Sequence, residues 1–215
     1  MTGTFAMELV LFLFQVLGIS LSGALQPGPV TAAAITMGSR NRFAGTLMAV
    51  GHGLIEFPLM VLLIFGVGRF LTLPEVSIGI GLAGGSFLIL MGVGMFKDLR
   101  TSDDPEMGIT RRGPVVTGIV LSGGNPYFLI WWATVGLTLV TTARGFGVWA
   151  FVLFAIAHWL CDCVWLTILS WGSFKGASVL SPKRRRAVLL FCAVALLGFG
   201  LYFIGDKLLV LIRMI

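Results

Sequence analysis

The chain has 215 residues, of which 57% are hydrophobic and only 11% charged, and its mean hydropathy is +1.00. Soluble domains carry about 45–50% apolar and about 25% charged residues, so this composition excludes a water-soluble globule. A net charge of +6 would suggest a nucleic-acid partner in a soluble chain. Here we expect none, because most basic residues lie between long apolar runs, where they indicate membrane topology.

Six long runs, each with at most one formal charge, occupy most of the chain. In order they are 9–39, 43–68, 76–96, 113–143, 145–174 and 187–205. A bilayer core of about 30 Å requires about 20 apolar residues per helix, and every run meets or nearly meets that length. The sequence therefore predicts an all-α integral membrane protein with six transmembrane helices.

Lysine and arginine are distributed unequally between the two sides of such a bundle. Loops 40–42, 97–112 and 175–186, which would share one side, carry 11 of these residues, and the opposite side carries 4. Positive residues favour the cytoplasmic side. We therefore expect a multi-pass protein of the cell (cytoplasmic) membrane, with loops 97–112 and 175–186 in the cytoplasm and both termini outside.

The two halves of the chain share features in the same order. Runs one and four each contain Leu-Ser-Gly followed shortly by an amide and a proline. Runs two and five each contain a histidine with a carboxylate four residues later, His52/Glu56 and His158/Asp162, and these are the two histidines of the chain. This correspondence indicates an internal duplication.

A duplicated unit of three spans must enter the membrane in opposite orientations. Inverted repeats of this kind are typical of secondary transporters, whose binding site lies at the repeat interface near the midplane. We predict a first three-helix repeat at 1–96, a cytoplasmic linker at 97–112 and a second three-helix repeat at 113–215.

Prolines interrupt runs one and four near their centres. A proline leaves the carbonyl four residues earlier unpaired, which a membrane tolerates only against protein or a water-filled cavity. A kink would explain one such position, but two corresponding positions favour helices 1 and 4 broken near the midplane around a site. The helix after Pro29 would direct free N–H groups at a carboxylate. The residues predicted to bind substrate are Gln26, Pro27, Gly28, Pro29, Asn125 and Pro126.

Four ionisable residues lie near the centres of runs two and five. A charge at that depth costs about 2.5–3.5 kcal/mol or more and usually marks an ion or substrate path. We predict that Glu56 or Asp162 carries an exchanged proton, with His52 and His158 tuning the acids. Two other interpretations stay open: pairs that only lock helix packing, or ligands of a divalent cation.

Tryptophans and missing motifs add two expectations. Trp131 and Trp132, just after the second break, could lie at the membrane interface or line the path. The chain has no G-x-x-x-x-G-K-[ST] nucleotide loop and no Ser/His/Asp constellation on an accessible loop. We expect a protein that is not an enzyme and has no cofactor.

Three motifs together resemble the LysE/RhtB family of amino-acid exporters. They are Gln-Pro-Gly-Pro at 26–29, Gly-Ser-Arg-Asn-Arg-Phe-Ala-Gly at 38–45, and Asn-Pro-Tyr at 125–127. The resemblance covers nearly the whole chain and implies six spans, no prosthetic group and efflux driven by an ion gradient. The chain departs from the family pattern in its paired histidines and in Asn-Pro-Tyr, where Asn-Pro-Lys is common.

These observations favour a secondary active exporter of amino acids or related small zwitterionic metabolites, coupled to protons by alternating access. The alternative is a divalent heavy-metal exporter that uses His52, Glu56, His158 and Asp162. A membrane scaffold without transport activity would instead pair these residues and enclose no cavity. The sequence leaves the substrate, the coupling ion and assembly as a homodimer open.

Overall fold

The computed structural model describes residues 2–71, 73–101, 112–176 and 182–214, and every regular element in these ranges is helical. The elements in chain order are α1 (Thr2–Ala24), α2 (Pro29–Gly38), α3 (Ala44–Ile64), α4 (Val67–Leu71), α5 (Pro74–Thr101), α6 (Pro114–Gly123), α7 (Pro126–Trp131), a π-helical turn (Trp132–Gly136), α8 (Leu137–Gly145), α9 (Val148–Gly176) and α10 (Pro182–Met214).

Six helical segments in the described part of the chain are long and apolar enough to cross a membrane. They are Phe5–Ala24, Ala44–Ile64, Pro74–Lys97, Pro126–Gly145, Val148–Gly176 and Leu189–Ile212. Their outer faces expose large apolar side chains such as Phe14, Leu90 and Ile168, as a lipid environment requires. The prediction of an all-helical chain with six candidate spans is confirmed.

Helices α1 and α2 lie along α9 in the same direction. Near the start of this path, the rings of Phe12 and Phe154 are 6.2 Å apart. At its end, Gly38 lies so close to the backbone of Ser170 that an added Cβ would approach its carbonyl oxygen to 2.8 Å. The residues between α1 and α2 therefore lie partway along α9.

The fourth run lies along α3 in the same way. Gly118 of α6 sits directly against the carbonyl of Met48 near the start of α3. Arg144 at the end of α8 donates to the carbonyl of Ile64 at the end of α3, over 3.4 Å. The gap between α6 and α7 therefore falls beside the middle of α3.

Small residues bring α3 and α9 close together in antiparallel orientation. Gly45 leaves no room for a Cβ beside the carbonyl of Leu166, so any larger residue there would force the helices apart. The indole N–H of Trp159 donates to the carbonyl of Ala49 over 2.8 Å. This close approach and this hydrogen bond fix the register of α3 and α9, the two helices that carry the ionisable residues.

Helices α5 and α10 form the second antiparallel pair. Gly85 and Gly200 face each other, since an added Cβ on either would meet the other's carbonyl oxygen at 3.0 or 2.8 Å. Buried Leu88 on α5 and Leu196 on α10 belong to one apolar cluster with the alanines of α2. This cluster places the α5–α10 pair against the short helix α2.

The helices extend into two of the predicted loops. Helix α5 continues through Thr101, so the first residues of the predicted linker 97–112 are helical, and α10 begins at Pro182, within the predicted loop 175–186. The rest of these loops, at 102–111 and 177–181, lies outside the described residues.

Candidate substrate and ion site

Two short non-helical segments interrupt the helices: a first gap at 25–28, between α1 and α2, and a second gap at 124–125, between α6 and α7. A cavity of about 120 Å³ lies where these two gaps meet the centres of α3 and α9. Of the ten residues predicted from the sequence, nine line it: Gln26, Pro27, Gly28, Pro29, His52, Glu56, Asn125, His158 and Asp162. The tenth, Pro126, packs its ring against Gly84 of α5. Residues from distant parts of the sequence are thus brought around one space.

The two gaps lie on the same cavity. Gln26 in the first gap and Tyr127, which follows the second, both line it. Asn125 has a local role, because its Oδ1 accepts the N–H of Tyr127 over 3.0 Å and caps the start of α7. This cap fixes the geometry of the backbone at the start of α7.

The start of α2 is an uncapped helix N-terminus at the cavity. Its N-cap is Gly28, with an extended backbone and no side chain to accept a hydrogen bond. The first intrahelical bond is donated by the N–H of Ala32 to the carbonyl of Gly28. The N–H groups of Val30 and Thr31 therefore have no partner within the helix, and both residues line the cavity. Such an end attracts an anion.

The four ionisable residues converge on one point. The Nε2 atoms of His52 and His158 lie 3.0 and 3.2 Å from Oε1 of Glu56. The same two atoms lie 3.8 and 3.7 Å from Oδ2 of Asp162. Each imidazole thus faces both carboxyl groups, one from its own helix and one from the other helix.

A serine orients each histidine ring from behind. Nδ1 of His52 lies 2.7 Å from Oγ of Ser122, and Nδ1 of His158 lies 2.6 Å from Oγ of Ser20. Partners on one ring nitrogen fix the direction in which the other nitrogen points. Ser20 has no signal in the sequence, because the Leu-Ser-Gly match points to Ser22. The hydroxyl of Ser22 donates to the carbonyl of Ile19 instead.

Aromatic rings enclose the histidines. Trp131 stacks on His158 with ring centroids 5.3 Å apart, and Trp132 meets the same ring edge-on at 5.0 Å. Phe128 meets His52 edge-on at 5.2 Å. Both tryptophans line the cavity, which is one of the two positions that the sequence left open for them.

Two buried polar atoms at the cavity have no hydrogen-bond partner in the described part of the protein. They are Oε2 of the fully buried Glu56, an acceptor, and Nε1 of Trp165, a donor. Buried polar groups are normally paired, so each is a candidate contact for a polar ligand. Trp165 had no signal in the sequence, because nothing there distinguishes it from the other tryptophans of apolar runs.

A scaffold without transport activity was expected to enclose no space at the ionisable residues. They do pair with one another, but all four also line the cavity. Six helices long and apolar enough to cross a membrane surround this cavity, which indicates the class of multi-pass membrane proteins.

Comparison with known proteins identifies the family within that class. Residues 21–207 match the family described as LysE type translocator, so the chain belongs to that family. The chain is also 27% identical over 195 residues to the "Putative amino acid efflux protein YcgF" of Bacillus subtilis (strain 168), a match that covers 88% of this chain and 92% of that protein. No solved structure gives a significant match. The resemblance drawn from the motifs is confirmed.

Proposed function

We propose that this protein is a secondary active exporter of amino acids or related small zwitterions across the cell membrane. The observation that carries the proposal is the cavity, which offers an uncapped helix N-terminus and unpartnered polar atoms around one space. A zwitterion needs donors for its carboxylate and an acceptor for its ammonium group. The Bacillus subtilis relative, named as a putative amino acid efflux protein, supports the same substrate class.

The substrate carboxylate would bind at the start of α2. The N–H groups of Val30 and Thr31 point along the helix axis toward the cavity, and the helix dipole favours negative charge there. The indole N–H of Trp165, which has no partner among the described residues, is a further donor. The ammonium group would face the free Oε2 of Glu56.

Proton coupling would arise at the same carboxyl groups. An ionised carboxyl is costly inside a membrane and a protonated one far cheaper. A proton and a substrate ammonium group would compete for Glu56, because each neutralises the same charge. Binding one from one side while releasing the other would link substrate exit to proton entry.

Alternating access would use two inverted repeats with helices broken near the midplane. The contacts support a two-fold relation: Ser20 bonds His158 as Ser122 bonds His52. The first run packs on α9 as the fourth packs on α3, and the α3–α9 and α5–α10 pairs are each antiparallel. Each contact made by the first half thus has an equivalent made by the second half. Rocking of one repeat against the other requires such a two-fold relation.

Reconstitution tests the proposed function directly. Proteoliposomes loaded with labelled amino acids should release them faster when the outside is more acidic than the inside, since protons then flow inward as substrate leaves. Liposomes without protein give the background. Release at background rate for every amino acid, with and without the gradient, would contradict the function.

Orientation follows from the basic residues, and we propose loops 97–112 and 175–186 on the cytoplasmic side with both termini outside. Charges of the cytoplasmic loops retain them on that side during insertion. Single cysteines introduced into loop 97–112 should react with an impermeant thiol reagent only after cells are opened. Labelling of these cysteines in intact cells would reverse the assignment.

A divalent cation is the second candidate cargo, and the geometry of the ionisable cluster favours it specifically. Ligand atoms of His52, Glu56 and Asp162 all lie within 4.8 Å of one another. Tetrahedral zinc with bonds of about 2.0–2.2 Å holds its ligand atoms about 3.3–3.6 Å apart. Within this group the nitrogen-to-oxygen distances from Nε2 of His52, 3.0 Å to Glu56 and 3.8 Å to Asp162, lie close to that separation.

Thermal unfolding separates the two cargoes. If the cluster binds a metal, Zn²⁺, Cd²⁺ or Ni²⁺ at micromolar concentrations should raise the unfolding temperature, and His52→Ala or His158→Ala should remove the shift. If amino acids stabilise the protein and metals do not, the metal alternative is wrong.

A further inference from the structure

Helices α5 and α10 contribute only apolar side chains to the cavity. They supply Leu88 from α5 and Leu196 and Phe199 from α10. Leu88 and Leu196 are buried within the apolar cluster that also contains the alanines of α2. A substrate whose carboxylate lies at the start of α2 therefore has an apolar wall beside it.

Both carboxyl groups of the cavity already have histidine partners. Glu56 and Asp162 face the two histidines, and among the described lining residues there is no lysine or arginine. A lysine or arginine substrate would bring a second cation, which would have to displace a histidine from one of these carboxyl groups. An aspartate or glutamate substrate would bring a second anion with no basic partner, and an unpaired buried charge is strongly disfavoured.

We propose that the cavity selects amino acids whose side chains are uncharged and apolar, such as leucine or methionine, which pack against Leu88, Leu196 and Phe199. This inference rests on the proposed function and specifies its substrate class. The α-carboxylate and α-ammonium groups are shared by all amino acids, so they provide binding without discrimination. The apolar wall provides the discrimination, together with a lining in which both acids already contact histidines and no described residue is lysine or arginine.

The cavity should reject amino acids to different degrees, according to the polarity and charge of their side chains. Apolar pockets reject charged side chains strongly, because no partner replaces the lost water. They reject a neutral polar side chain of the same size less strongly, by about tenfold to 100-fold. Leucine, asparagine and aspartate have side chains of similar size that are apolar, neutral polar and charged, so their transport rates isolate the effect of polarity. Methionine and lysine make the same comparison for two long side chains.

The test is exchange in proteoliposomes preloaded with an equimolar mixture of leucine, methionine, asparagine, aspartate and lysine. Uptake of each labelled amino acid is measured without a pH gradient. Leucine and methionine should enter at least about tenfold faster than asparagine and about 100-fold faster than aspartate or lysine. Lysine or aspartate at rates equal to those of leucine would overturn this inference alone. Exchange of none of them would overturn the proposed function with it.

A variant of the wall gives a second readout that does not depend on charge. Phe199→Ala enlarges the cavity beside Leu196 and should raise the ratio of tryptophan to leucine exchange by about tenfold. Phe191→Ala is the matched control, because Phe191 lies on the same helix with its ring largely exposed and does not line the cavity. An unchanged ratio in Phe199→Ala, or an equal change in Phe191→Ala, would contradict the role of this wall.

Discussion

Replacing Glu56 with glutamine is expected to abolish efflux driven by a pH gradient while substrate-for-substrate exchange continues in part. The amide keeps the shape of the side chain but cannot take up or release a proton. Its oxygen can accept from His52 and His158 as Oε1 does now at 3.0 and 3.2 Å. Its NH₂ group would occupy the place of Oε2, which has no partner among the described residues. Folding should therefore be preserved.

Labelled-substrate release from proteoliposomes across an imposed pH gradient measures this effect. Glu56→Gln should fall to the rate of protein-free liposomes, and Asp162→Asn should do the same if the two acids act together. His52→Ala and His158→Ala should shift the pH optimum and leave transport measurable, because each histidine tunes the acids.

Glu75→Gln is the matched control, since Glu75 is an exposed acid at the start of α5. It should export at the wild-type rate. If both Glu56→Gln and Asp162→Asn retain the wild-type rate and pH dependence, neither acid is the coupling group.

Replacing Gly28 with aspartate is expected to raise the KM for substrate by about tenfold or more. Aspartate is a favoured N-cap residue, because its carboxylate accepts from the second or third N–H of the helix. These are the N–H groups of Val30 and Thr31 that we assign to the substrate carboxylate. The new side chain would occupy the site, stabilise α2 and repel the substrate anion.

Gly28→Ala is the control, because it removes the glycine without adding a side chain that could occupy the N–H groups at the start of α2. Its φ of −158° is extended backbone that any residue adopts, and nothing lies within 4 Å of an added Cβ. This variant should keep a wild-type KM in the exchange assay. A wild-type KM for Gly28→Asp, in a protein whose unfolding temperature has risen as the new N-cap requires, would show that the carboxylate binds elsewhere.

Most of the helical architecture could be predicted from the sequence, because span length and charge exclusion are strong, local signals. The proline motifs coincide with helix starts, since α2 begins at Pro29 and α7 at Pro126. The helix boundaries were less accessible. Helix α5 continues to Thr101 because charge alone does not end a helix outside the apolar core.

The ionisable residues of the candidate site could be predicted from the sequence, but the contacts that support them could not. An acid or histidine in an apolar run is conspicuous, and so His52 and Glu56 could be named from the sequence. Ser20 is one of several serines in the chain, and its contact with His158 spans 138 positions. Long-range partners of common residues leave no local pattern.

The π-helical turn after Trp131 was also beyond the sequence. π-helical turns occur within α-helices, often at functional sites, and have no composition signal of the kind that proline provides. Here the turn includes Gly136, where an added Cβ would collide with the indole of Trp132. The same ring packs edge-on against Phe154 and His158 of α9, and such long-range contacts are not visible in the local sequence.

The most direct test of the account is to measure the proton that moves when substrate leaves. Proteoliposomes loaded with leucine and an internal pH dye, with equal pH on both sides, are diluted into leucine-free buffer with the membrane potential clamped. The account predicts that the interior becomes more acidic as leucine exits, and that Glu56→Gln removes this change. Leucine exit through the wild-type protein at constant internal pH would contradict proton-coupled export.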